Sequence, residues 1–261
     1  MKRLELILPN QIRKFSFVSI AGIILIAVIA WWLSANQPEI TNVDSSKIYE
    51  QRVNHSPDGI GKFYMGREIA KVMGHTGAGW LERPSRELEE QPSKIVSALD
   101  LKPNDVVADI GAGTGYLSFL IAPLLPQGKV LAVDIQPEML EIIQDSKQQK
   151  KITNVEPILA TIDHPNLPAQ SIDLALMVDA YHEFAYPYEV MQGIVKALKP
   201  GGRVVLVEYR GENPFIMIKT LHKMTQKQVQ KEMQAVGLVW RETKNLLPQQ
   251  HLMVFAKQAS Q

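Results

Sequence analysis

The stretch VVADIGAGTGYLSFLIAPLLPQGKVLAVD, residues 106–134, decides the fold. Val106 to Ile110 is an apolar run of strand length and composition. A glycine cluster follows at once, and the chain then takes helical spacing, with Leu117, Leu120, Ile121 and Leu124 on one face. Gly111, Gly113 and Gly115 let the backbone turn sharply and approach a ligand closely, while the unpaired N–H groups that open the helix point toward that ligand. Lys129 to Val133 is a second strand. Asp134 ends it, where a carboxylate can take the two hydroxyls of a ribose.

Two cofactor classes use such a unit, and spacing separates them. The dinucleotide fingerprint G-x-G-x-x-G would put its third glycine at position 116, which is Tyr116 here; the glycines run G-x-G-x-G. Asp109, two residues before the first glycine, suits a loop-orienting role or a cationic ligand better than a pyrophosphate. With DIGAGTG (109–115) followed by VDIQPEML (133–140), the chain resembles the class I S-adenosylmethionine-dependent methyltransferases from Gln91 to Lys257. The resemblance implies an α/β fold with a doubly wound, mostly parallel, seven-stranded Rossmann-like sheet whose last strand is antiparallel. It also implies S-adenosyl-L-methionine as cofactor, met by Asp109, Gly111, Ala112, Gly113, Gly115 and Asp134, with Ile135 on the adenine face. Asp163 resembles the acid that contacts the adenine amino group in related enzymes, and Thr161 or Ile162 are the substitutes if the loop is a residue or two longer than usual.

The chain has 261 residues, 46% of them apolar, which allows a substantial core. The net charge of +1 gives no overall field to attract nucleic acid, and no nucleic-acid partner is expected. There is no cysteine, so disulfides, thiolate catalysis and cysteine metal sites are all excluded.

Residues 1–14 form a basic tail with Lys2, Arg3, Arg13 and Lys14. Residues 15–33, FSFVSIAGIILIAVIAWWL, are 19 without a charge and would span roughly 28 Å as a helix, enough for a hydrocarbon core. A single-pass N-terminal transmembrane anchor in the lipid bilayer is the expectation, with Trp31 and Trp32 at its interface. A cleaved secretory signal is the alternative, opposed by the length of the run and the bulky Trp31 and Leu33. The side of the membrane stays open: the charge bias favours an extracytoplasmic domain, whereas cofactor supply favours a cytoplasmic one. Residues 34–54 read as a linker.

Residues 55–90 change character, with many glycines, scattered aromatics and a short helical run over Arg67 to Met73. They read equally as a cap, with Tyr64, Met65, Trp80, His55 or His75 facing the substrate, or as an arm packed on the sheet edge. Residues 91–258 hold the methyltransferase domain, with helices expected at 92–99, 137–149, 190–198 and 225–236, and strands at 155–159, 171–178, 203–207, 238–243 and 251–256. Such alternation implies a doubly wound sheet.

In an open parallel sheet, ligands bind beyond the carboxyl ends of the strands. After the fourth strand lie Asp179, Tyr181, His182, Glu183 and Phe184; after the fifth, Glu208, Tyr209 and Arg210. Methyl transfer from a sulfonium is an in-line displacement, so the protein aligns the nucleophile, excludes water and, where needed, supplies a base. His182 is the candidate base, and a structural histidine tied to Glu183 or a carbonyl is the other reading of it. Asp179 suits the ammonium of the cofactor, while Tyr181 and Glu208 are candidates for the substrate side. No metal is expected: no close helical ligand pair occurs, and adjacent His182 and Glu183 diverge on either a strand or a helix. DAYHEF (179–184) lacks the post-strand segments of nucleic-acid amino-methylating and protein-arginine enzymes, which leaves a small-molecule acceptor. The competing readings are a non-catalytic, membrane-attached S-adenosylmethionine-binding module and an NAD(P)-dependent oxidoreductase.

Overall fold

The computed structural model describes residues 48–257. The expected basic tail, the apolar span 15–33 and most of the 34–54 linker lie outside the described residues. Among the described residues, no helix is long and apolar enough to cross a membrane.

Seven strands form one sheet: β4 (Val106–Ile110), β5 (Lys129–Asp134), β6 (Val155–Leu159), β7 (Ile172–Val178), β8 (Leu198–Tyr209), β9 (Leu238–Lys244) and β10 (Gln250–Lys257). Their order is β6-β5-β4-β7-β8-β10-β9, parallel from β6 to β8. Both β8 and β9 run antiparallel to β10. The order reverses direction between β4 and β7, and at such a switch point the loops on either side separate and leave a crevice.

Successive side chains of a strand face opposite sides, so a doubly covered sheet needs two cores. On one side, Ala108, Met177 and Leu206 pack against α6 (Pro187–Ala197) and α7 (Gln226–Ala235). On the other, Val107, Leu176 and Val205 meet α3 (Pro92–Ser97), α4 (Tyr116–Ile121) and α5 (Pro137–Lys150). Pro92, Pro137 and Pro187 each sit in the first turn of a helix, where a missing N–H costs nothing and the ring presets φ. The helix expected at 190–198 ends at Ala197, and residues 198–202, before the strand expected at 203–207, already belong to β8, with a register shift against β7 near Gly201 at φ 77°.

A second sheet precedes the domain. It comprises β1 (Tyr49–Gln51), β2 (Gly59–Tyr64) and β3 (Arg67–Ala70), all antiparallel, so β1 falls inside the expected linker. The helical run expected over Arg67 to Met73 is therefore incorrect. Tyr64 pairs with Arg67 across a two-residue turn in which Met65 and Gly66 both have positive φ, at 50° and 94°. That is the backbone a tight hairpin demands, and seven residues are too few for apolar spacing to outweigh strand pairing. Two short helices, α1 (Ala78–Leu81) and α2 (Arg86–Glu89), lead from this hairpin to α3.

The hairpin is fastened by a buried ion pair. Arg67 Nε and Nη2 donate to the two oxygens of Glu232 on α7, at 2.9 and 3.0 Å, and Nη1 donates to the carbonyl of His182 at 3.0 Å. Removing one member leaves a charge in an apolar setting, whereas replacing both by apolar residues removes the penalty as well as the gain. Arg67→Met should thus destabilise the fold by about 3–5 kcal/mol in urea unfolding, and Arg67→Met/Glu232→Leu should recover most of that loss.

Candidate active site

A cavity of about 840 Å³ opens beyond the carboxyl ends of β4, β5 and β7. Its floor is the glycine loop. Gly111 and Ala112 donate backbone N–H groups to the carbonyl of Val133, at 2.8 and 3.0 Å, which folds the loop back onto the end of β5. Gly113 has φ 55°, and a Cβ there would stand 2.5 Å from Cδ1 of Leu81, so a side chain is excluded both by backbone conformation and by the segment lying over it. Asp134 locks the arrangement: Oδ2 accepts from the Gly113 N–H at 2.8 Å and Oδ1 from the Gln136 N–H at 2.9 Å. Burial raises its carboxyl pKa, and these backbone donors oppose the rise.

Asp109 lies beneath the loop, buried, and accepts a hydrogen bond from Ser118 Oγ at 2.6 Å. Burial pushes its pKa up to about 6. Asp179, at the tip of β7, has left-handed backbone with φ 49°. Its Oδ2 accepts from Gln250 Nε2 at 2.7 Å, but Oδ1 is buried without a partner. Burial, with Glu208 and Glu90 nearby, raises its pKa well above the usual range. Arg86 of α2 and Glu90 also line the cavity; Arg86 donates to Glu90 at 2.9 Å, and Glu90 accepts from the Tyr209 hydroxyl at 2.8 Å.

Of the residues expected at the cofactor, Asp109, Gly111, Ala112, Gly113, Asp134, Ile135 and Asp179 all line this cavity. Gly115 does not; at φ 79° it caps α4, and a Cβ would press on Ile143. Asp163 is also absent from the lining, being exposed and turned to the Thr161 hydroxyl at 2.7 Å, while its named substitutes Thr161 and Ile162 face the cavity.

The far end of the cavity is polar. His182 sits in the 3₁₀ turn Tyr181–Glu183 and is buried. Its Nδ1 lies 2.6 Å from Glu208 Oε2 and its Nε2 lies 3.1 Å from Nδ1 of His222. Burial pushes the His182 pKa down to about 3 and that of Glu208 up to about 8, with Arg67 drawing Glu208 the other way. Tyr181 and Glu208, expected on the substrate side, are fully enclosed and stand behind His182, outside the lining.

Of the cap candidates only Trp80 reaches the cavity. Tyr64 is buried, Met65 is the hairpin turn, and His55 and His75 are exposed beside Glu68 and Glu138. Reading the sequence missed Arg86, Glu90 and His222. His222 lies forty positions from His182 and comes from the long connection after β8, so the only available signal was a histidine in a loop leaving a strand's carboxyl end.

The family model of a methyltransferase domain matches residues 101–258. The chain belongs to the class I S-adenosylmethionine-dependent methyltransferases. The methyltransferase is 28% identical over 116 residues to an arsenite methyltransferase of Halobacterium salinarum, covering 44% of this chain and 30% of that one. It is 27% identical over 119 residues to the ubiquinone/menaquinone biosynthesis C-methyltransferase UbiE of Ectopseudomonas mendocina, covering 44% and 46%. The matches thus span less than half the length of these relatives. In fold it is similar to a SAM dependent methyltransferase from Aquifex aeolicus, with a TM-score of 0.67 and 19% identity, over 70% of this chain and 98% of that one. The family implies S-adenosylmethionine as cofactor, and the cavity fits that ligand: a bare glycine loop, a carboxylate lining the cavity and an unpartnered buried oxygen meet the needs of a cationic nucleoside.

The buried pair of His182 and Glu208 has a consequence for stability. A carboxyl whose pKa is raised on folding stabilises fully below its unfolded value, near 4.5, and loses that contribution as pH climbs through about 8. Glu208→Gln carries no such proton, so the unfolding free energy of the parent relative to the variant should fall between pH 5 and 8, by up to about 1.4 kcal/mol per pH unit. Parallel pH profiles for the two proteins would contradict the buried pair.

Proposed function

We propose that the enzyme methylates a small, largely apolar molecule at an atom that carries a removable proton. The observation that carries this reading is the shape of one cavity. Its walls include Ile60, Val72, Trp80, Phe184 and Met217, and at one end they give way to His222 backed by His182 and Glu208. Apolar walls around a few convergent polar groups suit a small ligand rather than a charged polymer.

When bound, S-adenosylmethionine supplies a methyl group on a sulfonium, whose departure leaves a neutral thioether. In this reading Asp134 holds the ribose hydroxyls, Ile135 and Ile162 pack on the adenine, and Asp179 Oδ1 accepts the ammonium. Arg86, which shares the lining with Asp179, suits the cofactor carboxylate. The acceptor's proton goes to Nε2 of His222, since Nδ1 of that ring is engaged by His182 Nε2. His182 and Glu208 are positioning residues, because Glu208 lies outside the lining and both ring nitrogens of His182 are already engaged, by Glu208 and by His222.

The apolar run 15–33 supports attachment of the enzyme to a bilayer by a single span, and it joins this reading on sequence grounds alone. The charge pattern around it favours an extracytoplasmic domain. Alkaline carbonate washing should leave the full-length chain in the membrane fraction; recovery of a soluble product shortened at its N-terminus would identify a cleaved signal instead.

The acceptor class is tested by incubating the full chain with methyl-labelled S-adenosylmethionine and fractionated cell extract. Label should appear in small, solvent-extractable molecules, and label confined to nucleic acid or protein would overturn the proposal. Asp134→Ala should weaken S-adenosylhomocysteine binding in calorimetry by about 1–3 kcal/mol, through loss of a charged acceptor. Gly113→Val should weaken it further by driving a branched side chain into Leu81 and the ligand space.

A further inference from the structure

Three donor atoms of the polar end lie unusually close. Nε2 of His182 is 3.1 Å from Nδ1 of His222 and 3.8 Å from Oε1 of Glu183, and Nδ1 of His222 is 3.4 Å from that same oxygen. Donors placed about 2.0–2.1 Å from a tetrahedral ion stand about 3.3 Å from one another. The triangle already has those dimensions. Sequence reasoning expected His182 and Glu183 to diverge, but the 3₁₀ turn brings both to one side, where His222 meets them.

The surroundings fix each donor as a ligand would need. Glu208 takes the Nδ1 side of His182, leaving Nε2 to face Glu183 and His222, which is the carboxylate–histidine pairing that orients metal-bound imidazoles. Glu183 accepts from the Met73 N–H through Oε2 at 3.1 Å, which leaves Oε1 for the triangle. Arg67 holds the turn itself through the His182 carbonyl. All three residues line the cavity, so the fourth position of a tetrahedron would face the space where a substrate enters.

We infer that His182 Nε2, Glu183 Oε1 and His222 Nδ1 form a binding site for one divalent transition cation of the zinc class, with an open coordination position toward the cavity. Three protein ligands with a vacant fourth place are the arrangement of a site that engages an exogenous oxygen or nitrogen donor, rather than of a closed structural site. Binding moves the proton between the two imidazoles to Nε2 of His222, leaves Nδ1–H of His182 donating to Glu208, and takes up the negative charge of Glu183. The test of the site reads cation binding alone and not the acceptor; in the cation-bound form Nε2 of His222 already carries its proton and does not serve as the base proposed above.

The test is titration of the full-length chain, purified in detergent and stripped with a chelator, with Co²⁺ and with Zn²⁺. One equivalent of Co²⁺ should bind with the intense visible absorption of four- or five-coordinate cobalt, and Zn²⁺ should bleach it. Glu183→Gln and His222→Ala should each weaken Co²⁺ at least 100-fold. Glu208→Gln, which meets His182 at its far ring nitrogen and its backbone N–H and supplies no ligand, should weaken it about 10-fold. His75→Ala and His55→Ala, away from the cavity, should leave it unchanged. Absence of the absorption in the parent protein overturns the inference whatever the variants do. So does undiminished binding in Glu183→Gln or His222→Ala. Circular dichroism of the metal-free variants guards against a loss that reflects misfolding.

Discussion

The site is built on the carboxylate of Asp134. A buried carboxylate is costly to keep ionised unless donors face it, and here the donors are backbone N–H groups of Gly113 and Gln136 on two different loops. One side chain therefore joins the end of β5 to the glycine loop after β4. The loop can approach because Gly113 has no side chain, and it holds its curve because Asp134 receives its N–H. The same oxygens keep lone pairs directed at the cavity. Structural and ligand-facing uses of this residue cannot be separated, since losing the first would let the loop that forms the second relax.

Around this centre the interior carries more charge than a purely apolar packing would need. Arg67 is paired with Glu232, and Glu90 accepts from both Arg86 and Tyr209. Such pairs add little net stability over apolar replacements, though they punish the loss of one partner. Arg67–Glu232 and Glu90–Tyr209 run from the segment before α3 to a helix and a strand of the main domain, whereas Arg86–Glu90 lies within that segment. What they secure is position: they hold the covering segment where Leu81 lies over Gly113.

Much of this was legible beforehand. DIGAGTG and the acid at 134 specify the strand, loop and strand by local rules, and seven of the nine expected cofactor residues line the cavity. The misses share a cause. Placing residues after a strand end says that they are near the site, but not which way a side chain turns; Tyr181 and Glu208 turn inward, and Asp163 turns to its own loop. The hairpin escaped because REIAKVM satisfies helical and extended spacing alike, and the Met65–Gly66 turn that decides the matter depends on backbone conformation. His222 escaped because its meeting with His182 is a product of tertiary packing, which no local pattern encodes.

The segment from Arg67 to Met73 touches both the main domain and the cavity. Arg67 ties β3 to α7 and to the carbonyl of His182; the Met73 N–H donates to Glu183; and the Met73 carbonyl accepts from the side chain of Gln136, next to the loop that Asp134 organises. Lys71, Val72 and Met73 meanwhile form part of the cavity wall. One short stretch thus packs as an arm and encloses as a cap. Its contacts reach both the cofactor loop, through Gln136, and the polar turn, through the His182 carbonyl and the Glu183 carboxylate, so the same few hydrogen bonds place the wall and fix the reactive end.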